Sequence, residues 1–193
     1  VRLEIVEKEP ENMKSLWKIL PLLALIPLLT ASVGHAQGSA TGATSVTVSV
    51  GPEGALTVTS PTSLTAVGTV FNSYSGTTTV TYFVRTTQST GNGNITLKVT
   101  SDFSPANGPS VTTPPTAGDA LKYTCVGAAP ATPCSGSQTA STGASTPVAT
   151  FGADAHTTST SGSTATTSWT LTNDPVYKTG SYSATVTFTI SAT

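Results

Sequence analysis

Along residues 183–193 apolar side chains alternate with threonine or serine almost without a break. A period of two places Ala184, Val186, Phe188 and Ile190 on one face and the hydroxyls on the other. The stretch predicts a half-buried antiparallel strand whose wet face carries hydroxyls in place of charges. The same texture recurs through most of the chain. Val46, Val48 and Val50 alternate over 45–50, and Leu56 and Val58 begin a second strand that Pro61 ends. Residues 64–71 predict a third strand, in which Gly68 marks a bulge. Residues 78–87 predict a long strand with Val80, Tyr82 and Val84 on one side and Phe83 and Arg85 on the other. Further on, Ile95, Leu97 and Val99 share a face, as do Leu121, Tyr123 and Cys125. A short strand follows at 147–151, and 166–172 turns Trp169 and Leu171 inward.

Turn signals separate these segments. Gly51-Pro52-Glu53-Gly54 reads as a turn, residues 72–76 as another, and Gly91-Asn92-Gly93-Asn94 as a hairpin connection. The proline-rich 104–118 reads as a loop, as do 154–164 and the turn at Asn173-Asp174-Pro175. Residues 135–146 are Ser/Thr/Gly/Ala-rich and predict an exposed arm. The sum is about nine strands with no helix after the N-terminal region, which predicts an all-β, antiparallel two-sheet β-sandwich, Ig-like or pilin-like. Trp169, Phe71, Phe83 or Tyr82, Phe151 and Phe188 are the large candidates for a single core.

The N-terminal region has a different texture. Met13 to Lys18 is short and basic, 19–29 is continuously apolar, and Gly34-His35-Ala36 supplies small residues at a cleavage site. This pattern predicts a signal peptide over 13–36. The apolar run is shorter than the about 20 residues a spanning helix needs, so the mature chain is not expected to span a membrane. Residues 1–12 precede the leader's Met and read as a misassigned start. Residues 37–44 read as a flexible N-terminal arm, and 45–193 as one domain.

Charge narrows the functional classes. From residue 37 onward Arg85, Lys98, Lys122 and Lys178 stand against Glu53, Asp102, Asp119, Asp154 and Asp174. Such sparse, balanced charge argues against nucleic acid and against an anionic membrane as partners. Cys125 and Cys134 are the two cysteines of the chain, and after export they are expected to form a disulfide. Threonine favours strands and solvates a sheet face without charge. Uncharged faces suit a subunit that assembles, or a surface that is O-glycosylated.

Candidate chemistry is thin. His156 has Asp154, Ser159 and Ser161 nearby, but a Ser-His-Asp triad needs a base held between nucleophile and orienter. A loop histidine is the plainer reading. The aspartates sit near turns, where such residues commonly shape the backbone. No metal or cofactor is expected, and no catalytic residue is assigned. Tyr74 and Tyr177 lie at turns and are the candidate glycan-contact aromatics, which makes a carbohydrate-binding or accessory Ig-like module the alternative function. Asn94-Ile95-Thr96 also matches a glycosylation sequon.

The valine-alternating segment carries a sharper expectation. An apolar alternating strand on an arm can complete the open groove of a neighbouring subunit, so Val46, Val48 and Val50 are the candidate donor strand. Pairing within their own domain is the other reading. The leader, the disulfide-stapled Ser/Thr-rich sandwich, this arm and the terminal Gly180-Ser181-Tyr182-Ser183-Ala184-Thr185-Val186-Thr187-Phe188 together resemble secreted pilin-like and spore-coat-U-like surface proteins of bacteria. That resemblance implies a non-enzymatic structural or adhesive cell-surface subunit that self-associates by strand donation.

Overall fold

The computed structural model describes residues 43–59, 61–66 and 68–193. The expected leader, the segment before it and most of the 37–44 arm lie outside the described residues. Among the described residues there are ten strands: β1 (Glu53–Val58), β2 (Thr65–Ala66), β3 (Tyr74–Arg85), β4 (Gly93–Ser104), β5 (Lys122–Gly127), β6 (Thr132–Pro133), β7 (Gln138–Thr139), β8 (Thr146–Phe151), β9 (Ser163–Leu171) and β10 (Ser183–Ala192). They form two antiparallel sheets. One has the order β1-β3-β9-β5-β7, with β2 also on β3, and the other the order β10-β4-β8-β6. Among the described residues there is no helix, and so none long and apolar enough to cross a membrane.

The period-two pattern explains the core. Val80, Tyr82 and Val84 of β3, Ile95, Leu97 and Val99 of β4, and Trp169 and Leu171 of β9 are buried, and their sequence neighbours alternate outward. Both sheets contribute to one apolar cluster. Tyr82 of one sheet meets Phe151 of the other with ring centroids 5.3 Å apart, and Tyr123 lies 5.3 Å from Trp169. Each buried polar tip is satisfied, as burial demands. The Tyr82 hydroxyl donates to the Ala128 carbonyl at 2.6 Å, and the Trp169 indole N–H donates to Thr78 Oγ1 at 2.8 Å. Burial raises the pKa of the Tyr82 and Tyr123 hydroxyls, which keeps both neutral.

Five expectations are corrected. Residues 45–50 form no strand, whereas Glu53 and Gly54, expected in a turn, belong to β1. Gly54 belongs there because β10 crosses close by: a Cβ at this position would stand 3.3 Å from Ile190 Cγ1. The 64–71 strand shrinks to β2, since the backbone curls away through Phe71 at φ 57°, and the Phe71 side chain is exposed instead of in the core. Of the alternatives Phe83 and Tyr82, Tyr82 takes the core position, and Phe83 points outward with Arg85 as the alternation expects. The glycine-rich 91–94 segment is no hairpin, because β3 and β4 lie in different sheets. Gly91 serves a close backbone approach, its Cβ position being 2.3 Å from Thr87 N. Finally, 135–146 is no exposed arm: it contains β7, and Ala140 is buried. The Ala140 amide donates to Leu121 and the Ser141 carbonyl accepts from Val99, so this short segment is bonded to the chain of both sheets.

Candidate functional site

The two long seams between the sheets are closed by different means. On one side Cys125 of β5 is joined to Cys134, whose amide donates to the Val148 carbonyl of β8 at 2.9 Å. The Tyr123 hydroxyl reaches across the same seam, lying 2.8 Å from both Thr146 Oγ1 and the Pro147 carbonyl oxygen. This side is therefore held by a covalent bond and by polar contacts between sheets.

On the other side stand β1 and β10. They belong to different sheets, and β10 pairs only with β4 among the described residues. The inward side chains of β10 are correspondingly less covered. Phe188 is buried, but Ala184, Val186, Ile190 and Ala192 remain half-exposed, while Ile95, Leu97 and Val99 on the adjacent β4 are at most 1% exposed. Free strands of this kind are normally blunted by lysine, proline or short length. β10 is ten residues long and has neither charge nor proline; only a bulge near Thr185 interrupts its ladder.

Arg85 clamps the chain leading into β1. Arg85, at the end of β3, donates from Nε to the Gly51 carbonyl at 2.7 Å and from Nη2 to Glu53 Oε2 at 3.0 Å. Upstream of that clamp the candidate donor residues Val46, Val48 and Val50 are 86%, 76% and 63% exposed and lie in no strand. Three largely exposed valines keep unused much of the apolar area that burial would stabilise, roughly 1.5–3 kcal/mol for each fully buried side chain.

The remaining candidates are placed as follows. His156 is exposed, with Nδ1 2.8 Å from the Asp154 carbonyl oxygen, and Ser159 Oγ accepts from the Ser161 amide. Asp102 accepts from the amides of Phe103 and Val111 and from Ser110 Oγ, each at 2.7 Å, and from the Thr112 amide at 3.0 Å. Burial alone would raise the pKa of this carboxyl, but the four donors outweigh it and bring it to about 2. Asp119 and Asp174, far apart in sequence, meet at one end of the sandwich. Tyr177 donates to Asp119 at 3.1 Å, while the Thr116 hydroxyl and the Val176 amide donate to Asp174. The Thr116 bond, followed by that of Val176, holds Asp174 below the ordinary carboxylate value. Burial raises the Tyr177 pKa, and the bond to Asp119 and the nearby carboxylates raise it further.

Tyr74 and Tyr177 are thus half-buried, Tyr74 packing against the core and Tyr177 tied to Asp119. Among the described residues no three His, Cys, Asp or Glu side chains cluster as metal ligands would. The β10 seam, the Arg85 clamp and the Asp119–Tyr177–Asp174 group were not legible in the sequence, since each depends on strand order. Comparison with protein-family models, with curated proteins and with solved structures returns no match.

Proposed function

We propose that this chain is a secreted, non-enzymatic structural or adhesive subunit of the cell surface, with a pilin-like sandwich that self-associates by strand donation. In this reading the alternating Val46, Val48 and Val50 of one copy lie along β10 of the next. Ladder hydrogen bonds supply affinity, and alternate side chains enter the half-open seam beside Val186 and Ile190. The contact joins two different surfaces, so it propagates from copy to copy.

The observation that carries the reading is the pair of unused features: an alternating apolar segment exposed to water and a ten-residue strand with one free edge. The disulfide is compatible with an extracellular or periplasmic location and so supports export. Negative-stain microscopy of the native surface fraction tests the proposal, together with a search for heat-resistant ladders on SDS gels. Filaments or ladders that vanish when residues 43–50 are deleted are expected. A strictly monomeric native protein, or assembly unchanged by the deletion, sinks it.

A further inference from the structure

The outer face of the six-stranded sheet carries a second pattern, independent of the seam. β3 and β9 pair in unbroken register from Tyr74 opposite Leu171 to Tyr82 opposite Ser163. Their inward residues are the buried Val80, Tyr82, Ala165, Thr167 and Trp169. Their outward residues are therefore hydroxyl-bearing in matched ranks: Thr77 opposite Ser168, Thr79 opposite Thr166, Thr81 opposite Thr164. The ranks continue onto the flanking strands, where Thr57 stands opposite Thr81 and Thr124 opposite Ser168. Thr79 and Thr166 bring their hydroxyl oxygens to 3.3 Å.

Strand geometry turns this list into a lattice. Neighbouring strands lie about 4.8 Å apart, and alternate residues along a strand about 6.8 Å apart. On β3 and β9 each point from Thr77 to Thr81 and from Thr164 to Ser168 offers a hydroxyl, which both donates and accepts, while the exposed Val126 of β5, opposite Thr166, adds methyl groups alone. Charge is confined to the margins: Lys122 at one corner and the Arg85–Glu53 pair at the other. Between them the face contains no amide or carboxylate side chain, and its one aromatic ring, Phe83, stands next to Arg85 and leaves the ranks from Thr77 to Thr81 clear. A sugar-binding face uses such groups for stacking and for directed hydrogen bonds. The opposite sheet lacks the regularity. Lys98 lies in the middle of its outer face, between Thr96 and Thr100, and its β4–β10 and β4–β8 ladders both shift register.

We infer that the outer face of the six-stranded sheet binds ice. A charge-free array of evenly spaced hydroxyls holds water at the repeat of the sheet, while the intervening methyls fill gaps in that water layer. Water ordered in this way joins a growing ice surface, and the protein is carried with it. Charged side chains would orient water about themselves and break the repeat, which is why the opposite face is not assigned this role. Sheet twist limits the match to the central strands, β3 and β9, where the register is unbroken.

The test uses the fluorescently labelled full chain, frozen slowly onto a cold probe, with fluorescence in the ice compared with that in the remaining liquid. The wild-type protein is expected to enter the ice and to slow recrystallisation of fine-grained ice. Thr166→Tyr, a bulky change in the centre of the lattice, is expected to be excluded like an inert control protein. Thr77→Tyr provides a second variant should the first fold poorly; tyrosine suits strands in either position. Thr187→Tyr, on the outer face of the other sheet, is expected to enter as the wild type does. Exclusion of the wild type overturns the proposal, as does entry of a folded Thr166→Tyr or Thr77→Tyr variant. Exclusion of Thr187→Tyr to the same degree overturns it as well.

Discussion

Cys125 and Cys134 stand nine positions apart in sequence, yet their disulfide links β5 of one sheet to the chain that hydrogen-bonds β8 of the other. A short covalent loop thus acts as an inter-sheet staple. It closes one seam of the sandwich and leaves the β1–β10 seam to non-covalent packing. Replacing both cysteines by alanine is expected to destabilise the fold by roughly 2–3 kcal/mol, the loss that loop-closure entropy assigns to a ring of this size. Denaturant unfolding of the double variant beside the oxidised parent checks it. An unchanged midpoint would mean that Tyr123 and the 140–141 crossing already hold this seam.

Thr78 and Trp169 form a polar contact inside the core. Thr78 is buried, and its hydroxyl receives the indole N–H at 2.8 Å. Thr78→Val keeps the shape of the side chain but leaves that N–H unpartnered, at a cost of about 1–3 kcal/mol. Thr78→Ser retains the acceptor and is expected to recover most of the loss. Urea midpoints and the near-ultraviolet dichroism of tryptophan measure both effects. Equal stability of the valine and serine variants would show that the bond contributes nothing net.

The inward face of a strand is legible wherever the period of two is intact and the strand has its partner. Val80, Tyr82, Ile95, Leu97 and Trp169 are inward because alternation alone fixes the face of a strand. Segments whose place is decided by a distant partner are not legible in this way. Gly91-Asn92-Gly93-Asn94 has the composition of a tight hairpin, but the chain crosses there from one sheet to the other, and its glycines let backbone pass close to Thr87 and Ser191. The low-complexity 135–146 looked solvated, yet backbone bonds to Leu121 and Val99 capture it, and composition does not report backbone bonds. The valines at 46, 48 and 50 have the pattern of a strand without a partner in the described residues. A strand is a relation between two segments, and the sequence of one of them does not supply the other.

Asp102 gives the molecule a predictable acid limb. Its carboxyl titrates at about 2 in the fold against an ordinary value of 3.8. A depressed folded-state pKa contributes stability above the unfolded value, and that contribution fades as pH falls from about 4 to about 2. The group is partly exposed, so solvent screening reduces the effect to about 1–2 kcal/mol. Asp102→Asn removes the titration, takes the charge out of all four bonds, and leaves one side-chain oxygen where two accepted. Its unfolding midpoint is expected to be lower than that of the parent at neutral pH and to converge with it near pH 2. Parallel curves across that window would assign the acid limb to other carboxylates.

The exposure of the valine arm separates folding from assembly. Val48 is 76% exposed, whereas Val80 is fully buried. Val48→Asp is therefore expected to change the stability of the isolated fold by less than about 0.5 kcal/mol, as exposed substitutions generally do. Val80→Ala removes buried methyl groups from the centre of β3 and is expected to cost about 2–3 kcal/mol. If the arm docks on β10 of a neighbour, the order of the two variants reverses in assembly. A charge at Val48 then has to enter the seam beside Val186 and Ile190 and be stripped of water, which a buried aspartate without a partner resists. Sedimentation velocity at matched concentrations is expected to show high-mass species for Val80→Ala, at temperatures where it remains folded, and only monomer for Val48→Asp. Assembly by Val48→Asp to the parental degree would remove the arm from the interface.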